Sequence, residues 1–162
     1  MILSLDFDGV LHTFDRMEEA LCRLPLLAAR LRTWPGVDVV ISSSWRTAFA
    51  LSELVWILGP QVGARVVGCT PVLPRSTLRR FVLDGREQEI GMWLRASWQS
   101  LRPWVALDGM SELFFPGSPG LLLCDVREGL SAPVLAQQSG HVRRAVLVPA
   151  FDTGAADGET GR

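Results

Sequence analysis

The chain has 162 residues, 48% of them hydrophobic and 20% charged, with a mean hydropathy of +0.24, a balance that belongs to a packed globular protein and excludes a disordered or collagen-like one. The 16 basic and 17 acidic residues leave a formal net charge of -1, so no global basic field draws in nucleic acid, and any polyanion must be held by a local patch. Every basic residue is Arg, which excludes Schiff-base and phosphate-loop lysines and leaves any cationic catalytic role to a guanidinium, whose fork suits phosphate.

Residues 1–5 are an apolar run ending in Asp6-Phe7-Asp8-Gly9, as a buried parallel strand would on reaching a functional loop. From 17 to 32 the pattern turns helical, with Leu21, Leu24, Leu27, Ala28 and Leu31 on one stripe and Pro25 expected to bend or split it. Trp34-Pro35-Gly36 breaks the chain. A second strand, 37–41, runs into Ser42-Ser43-Ser44-Trp45-Arg46, and 47–58 reads as a helix stopped by Gly59-Pro60. A weaker strand at 65–69 precedes a Pro- and Arg-rich stretch, 70–85, without an assignable period. Helix 86–98 carries Ile90, Trp93 and Leu94 on one side; strand 104–107 stops at Asp108, and the apolar run 121–124 ends in Asp125. Ser131-Ala132-Pro133 opens a helix, and 145–148 is expected as an edge strand. One domain over 1–150 is expected, with 151–162 a disordered tail.

Strands alternating with helices favour an open parallel sheet, where ligands sit at the carboxyl ends of strands. Asp6, Asp8, Ser43, Asp108 and Asp125 all follow apolar runs, so such a sheet gathers them at one rim. Two carboxylates at i and i+2 before a Gly suit a hard cation such as Mg2+. Asp6 can then attack phosphorus while Asp8 protonates the leaving oxygen and later deprotonates a water. Alone, Asp-Phe-Asp-Gly is equally a turn at a strand end; its place at the head of an ordered set of strand-end polar residues argues for chemistry. Cys22, Cys69 and Cys124 form no metal-type pair and read as reduced thiols. With Asp6 and Asp8 where a secretory signal would be apolar, and no run of membrane-spanning length, a soluble cytoplasmic protein away from membranes is expected.

The ordered set resembles the haloacid dehalogenase (HAD) superfamily from Met1 to about Gln137. Within it, Asp6-Phe7-Asp8-Gly9-Val10-Leu11-His12, Ser43-Ser44-Trp45-Arg46, the segment from Arg86 through Ile90 with Trp93-Leu94, Trp104 to Asp108, and Asp125 with Gly129-Leu130 resemble the HAD domain of Swiss-army-knife RNA repair proteins. The resemblance implies an α/β fold, a Rossmann-like (HAD-like) parallel sheet flanked by helices with no cap domain, and Mg2+-dependent phosphatase chemistry through an aspartyl-phosphate. It assigns Asp6 as nucleophile, Asp8 as general acid/base, Ser43 with Ser44 as the hydroxyls holding the phosphoryl group, and Arg86 as the cation of the third motif. The metal carboxylates it implies are Asp6, Asp8, Asp108 and Asp125.

Alternatives stand beside these assignments. Ser42 competes with Ser43, and Arg79 and Arg80 compete with Arg86. Asp108-Gly109 stands where the family usually has two adjacent acids, so Asp125 or Glu112 would supply the missing carboxylate. His12 either touches substrate or is a structural hydrogen-bonding group, and Trp45 either stacks on a base or belongs to the core. Between Gly9 and Val37, and between Arg86 and Asp108, there is room for one helix and no lid. An open site suits a phosphate on a large molecule, with a nucleotide or nucleic-acid end favoured, or a protein partner that covers the site. The rival from another class is a catalytically silent HAD-like binding module.

Overall fold

The computed structural model describes residues 1–13, 19–73 and 85–137. The expected edge strand at 145–148, the tail, the end of the domain and the arginines at 75, 79 and 80 lie outside the described residues.

Five short strands form one parallel sheet: β1 (Ile2–Leu5), β2 (Asp38–Ile41), β3 (Val66–Cys69), β4 (Trp104–Asp108) and β5 (Leu121–Leu123), in the order β3-β2-β1-β4-β5. Both sheet faces are covered, which is why the central strands are continuous apolar runs instead of alternating ones. On one face Leu3, Leu5, Val39, Ile41, Val105 and Leu107 pack against helical residues including Leu27, Leu31, Leu54 and Leu58. On the other, Ile2, Val40 and Ala106 meet Ile90, Leu94 and Phe114. Each fully buried Leu or Ile contributes roughly 1.5–3 kcal/mol.

The helices are α1 (Leu24–Arg32), α2 (Leu51–Ile57), α3 (Gly59–Gly63) and α4 (Gly85–Ala96), with a further helical stretch at 132–137. Pro25 does not bend a helix running from 17. It sits in the first turn of α1, where its missing N–H has no intrahelical acceptor to lose, and residues 20–23 are turn. The expected helix over 47–58 is likewise divided, into a single 3-10 turn (Ser44–Thr47) and then α2. Gly59, at φ +67°, does end α2, but Pro60 immediately opens α3. No cap domain interrupts the described chain, and no described helix is long and apolar enough to cross a membrane.

Candidate active site

The sheet register sets the site. Leu5 of β1 pairs with Ile41 of β2 and with Leu107 of β4, so the next residues, Asp6, Ser42 and Asp108, stand side by side across three strands spaced about 4.8 Å apart. The ladder continues through them: Asp6 N donates to Leu107 O at 3.1 Å, Ser42 N to Leu5 O at 2.9 Å and Thr70 N to Ile41 O at 2.9 Å. β1 lies where the strand order reverses, the usual place for a ligand in an open α/β sheet. Asp6 lies four residues on from Ile2, and Ser42 and Asp108 two on from Val40 and Ala106, so by side-chain alternation the row faces α4.

Arg86 comes from the first turn of α4, four residues before Ile90, which is buried against the sheet, and so it points the same way. Its Nη1 lies 3.5 Å from Asp6 Oδ1 and 3.6 Å from Asp108 Oδ2, and it donates to the Ser42 carbonyl. The three side chains are 4%, 0% and 9% exposed for Asp6, Asp108 and Arg86. Burial pushes the Asp108 carboxyl up to about 7; Arg86 pulls it down, Asp6 raises it, and hydrogen bonds from Met110 and Gly109 oppose the rise. Asp108 Oδ1 accepts from Met110 N at 2.9 Å, whereas its Oδ2 has no hydrogen-bond partner.

Asp8 hangs from a tight loop. Val10 and Leu11 both donate to the Phe7 carbonyl, at 3.1 and 2.8 Å, and Gly9 takes φ +72°, a conformation that a side chain would strain. The Asp8 carboxylate accepts from Trp45 Nε1 at 3.1 Å and from Ser44 Oγ at 3.3 Å. His12 Nε2 lies 3.1 Å from Asp8 Oδ1 and donates to it in the tautomer protonated at that nitrogen.

The triple serine divides its tasks. Ser42 stands in the row beside Asp6, its buried Oγ without a partner, while Ser43 Oγ accepts from Trp45 N at 3.4 Å and caps the 3-10 turn. Ser44 is turned to Asp8. The loop is braced by Arg46, which donates to the carbonyls of Ser42, Ser43, Thr70 and Pro71 and pairs with Glu89 Oε2 at 2.5 Å; Glu89 Oε1 accepts from Leu73 N at 3.0 Å. Burial, chiefly, lowers the Arg46 pKa, with Glu89 opposing and Arg86 adding to the fall. Neither the 360 Å3 hollow beside Phe114 and Leu121 nor the 390 Å3 one beside Phe49 and Trp56 is lined by Asp6, Asp8, Arg86 or Asp108.

A family model, the HAD domain in Swiss Army Knife RNA repair proteins, matches residues 2–135. The chain belongs to this family. No curated protein and no solved structure matches it. At the level of the HAD superfamily, membership supports a hydrolase of phosphatase type, in a superfamily that is generally Mg2+-dependent.

The four residues expected to hold the metal in this HAD chain, Asp6, Asp8, Asp108 and Asp125, do not all turn to one point. Among the described residues no group of three or more His, Cys, Asp or Glu side chains is arranged to hold a metal ion. The Asp8 carboxylate is turned toward Trp45, His12 and Ser44. Asp125 is exposed and caps its own turn, with Oδ1 accepting from Arg127 N at 2.8 Å and its carbonyl accepting from Glu128 and Gly129. Glu112 is exposed on a 3-10 turn. A Cβ at Gly109 would come within 2.7 Å of Val126 Cγ1, so the place of the family's second acid is filled by packing. Asp6 and Asp108 remain, with one buried carboxylate oxygen unpartnered. That pair fits Mg2+, which keeps several waters and commonly takes one or two carboxylates plus substrate phosphate.

Proposed function

We propose that this protein is a Mg2+-dependent phosphohydrolase that works through an aspartyl-phosphate on Asp6, with the end phosphate of a nucleotide or nucleic acid as its favoured substrate. The observation carrying the reading is Arg86 Nη1 within 3.6 Å of both Asp6 and Asp108 at the ends of adjacent strands. Two buried acids and a cation around one point suit a dianionic phosphoryl group far better than they suit packing.

Arg86 neutralises charge on the phosphoryl oxygens, and the Ser42 hydroxyl, free of other partners, donates to one of them. A carboxylate oxygen of Asp6 attacks phosphorus, the bond to the leaving oxygen breaks, and Asp8 gives that oxygen its proton. Asp8 then takes a proton from a water whose oxygen attacks the same phosphorus. Cleavage of the acyl-phosphate P–O bond to Asp6 releases inorganic phosphate and restores the Asp6 carboxylate and the Asp8 acid. Mg2+, held by Asp6 and Asp108, supplies positive charge to the phosphoryl oxygens when bound.

The absence of a cap among the described residues supports a phosphate carried on a large molecule, and the RNA repair setting of the family supports a nucleic-acid end. Free cysteines at 22, 69 and 124 favour the cytoplasm. Asp6→Asn should abolish hydrolysis of an aryl phosphate in the presence of Mg2+ while the protein stays folded; full activity in that variant excludes the mechanism.

A second reading, a catalytically silent HAD-like binding module, is favoured by the packed position of Gly109. Mg2+-dependent trapping of beryllium fluoride on Asp6 separates the two, because only an intact aspartyl-phosphate site holds both together.

A further inference from the structure

Donors from two separate segments converge on Asp8. Trp45 Nε1 and His12 Nε2 each lie 3.1 Å from Oδ1, and Ser44 Oγ lies 3.3 Å from Oδ2. Each carboxylate oxygen accepts about two hydrogen bonds, so Oδ1 is filled while Oδ2 has one long contact and room for a proton.

Neither ring is free to do otherwise. The Trp45 indole is wedged between Phe7, edge-on with centroids 5.4 Å apart, and Phe49, at 5.6 Å. His12 is 1% exposed, its Nδ1 has no partner, and the contact with Asp8 is its one side-chain hydrogen bond among the described residues. A packed aromatic and a buried imidazole that spend their polar atoms on the same carboxylate oxygen fix the torsion of that carboxylate.

We infer that Trp45 and His12 are positioning residues for Asp8. They hold Oδ1, so that Oδ2 is the oxygen that carries the proton to and from the reacting centre. Ser44, the weaker and more exposed contact, yields Oδ2 when the leaving group arrives. The inference rests on the reading of Asp8 as general acid/base. It assigns work to an indole that carries no proton itself, and it explains why Trp follows the serines of the β2 loop: the 3-10 turn capped by Ser43 aims the indole N–H back at the β1 loop.

The test compares two substrates of the full-length protein with Mg2+: an aryl phosphate, whose leaving oxygen departs without a proton, and an alkyl phosphate such as a nucleoside monophosphate, whose leaving oxygen needs one. Trp45→Phe removes the N–H and keeps the ring contacts. Its kcat/KM, which reports only the steps through formation of the aspartyl-phosphate, should fall on the alkyl phosphate by about 10- to 100-fold, at least tenfold more than on the aryl phosphate. Asp8→Asn should show the same selectivity in larger measure.

Equal losses of kcat/KM on both substrates, or none, in Trp45→Phe overturn the positioning role while leaving the phosphohydrolase intact. If Trp45→Phe melts far below the wild type, the ratio of the two losses in His12→Phe, which removes the other donor to Oδ1, decides in the same way. A wild type inactive on both substrates, or Asp6→Asn active on them, refutes the phosphohydrolase and this inference with it.

Discussion

Replacing Asp108 by Asn should stabilise the metal-free protein while ending its activity, and the stabilisation should grow with pH. Burial lifts this carboxyl from 3.8 to about 7. At about 1.4 kcal/mol for each tenfold change, ionising it costs roughly 4 kcal/mol more in the fold than in the open chain. Below about pH 4 both states are protonated and the cost is absent. Between about pH 4 and about pH 7 the folded chain keeps a proton that the unfolded chain has lost, so stability falls as pH rises, and above that window the full cost is carried. Asn keeps an acceptor for Met110 N but sets an N–H group near the Arg86 guanidinium, which offsets part of the gain. The expected net gain is about 1–3 kcal/mol near pH 8 and little near pH 4.5. Urea denaturation of both proteins across that range, with chelator present, reads it directly. A difference that does not change with pH, or a less stable Asn variant near pH 8, refutes the reasoning. Saturating Mg2+ should shrink the difference by stabilising the native wild type alone, by about 2.7 kcal/mol at a hundred times Kd.

Arg46→Ala should destabilise the fold by about 3–5 kcal/mol, because it leaves Glu89 buried without its counter-ion; thermal melts check this, and a loss below about 1 kcal/mol would mean that the pair is spent on something other than the fold. Gly109→Asp, which restores the family's second acid, should cost about 1–3 kcal/mol through the clash with Val126, and adding Val126→Ala should recover much of it; equal stability of Gly109→Asp and wild type by chemical denaturation would show that the loop simply moves aside.

The strands were legible because burial on both faces leaves no alternation to misread: 1–5, 37–41 and 104–107 announce themselves as apolar runs, and their polar successors then share a rim by register alone. The breaks between helices were harder. A proline within a helical stripe has one meaning in mid-helix and another in the first turn, and only the packing of Leu27 and Leu31 decides where the helix around Pro25 begins. Spacing after strands could rank Asp6 and Asp108, and the family resemblance added Arg86, yet spacing could not say where a carboxylate turns once its strand ends. Asp8 turns to an indole and Asp125 to its own backbone, so neither adds a third acid beside Asp6 and Asp108. Ser42 against Ser43 is a question of which face of the sheet a side chain takes. The parity of Val40 in the α4 cluster sets Ser42 on the face of Asp6 and Asp108, but parity is visible only once the faces are known. The Arg46–Glu89 brace joins residues far apart in sequence, and only the Trp-Arg pair after the serines hinted at it.

The central strand of the sheet precedes the other four in sequence, and both of its neighbours are synthesised after it, β4 more than ninety residues behind. A nascent chain therefore carries Asp6 exposed and inert until Asp108 and Arg86 have emerged and docked. On the proposed mechanism the chemistry would switch on only once β4 has joined β1, and a truncated translation product ending before residue 104 would carry Asp6 without the partners that mechanism needs.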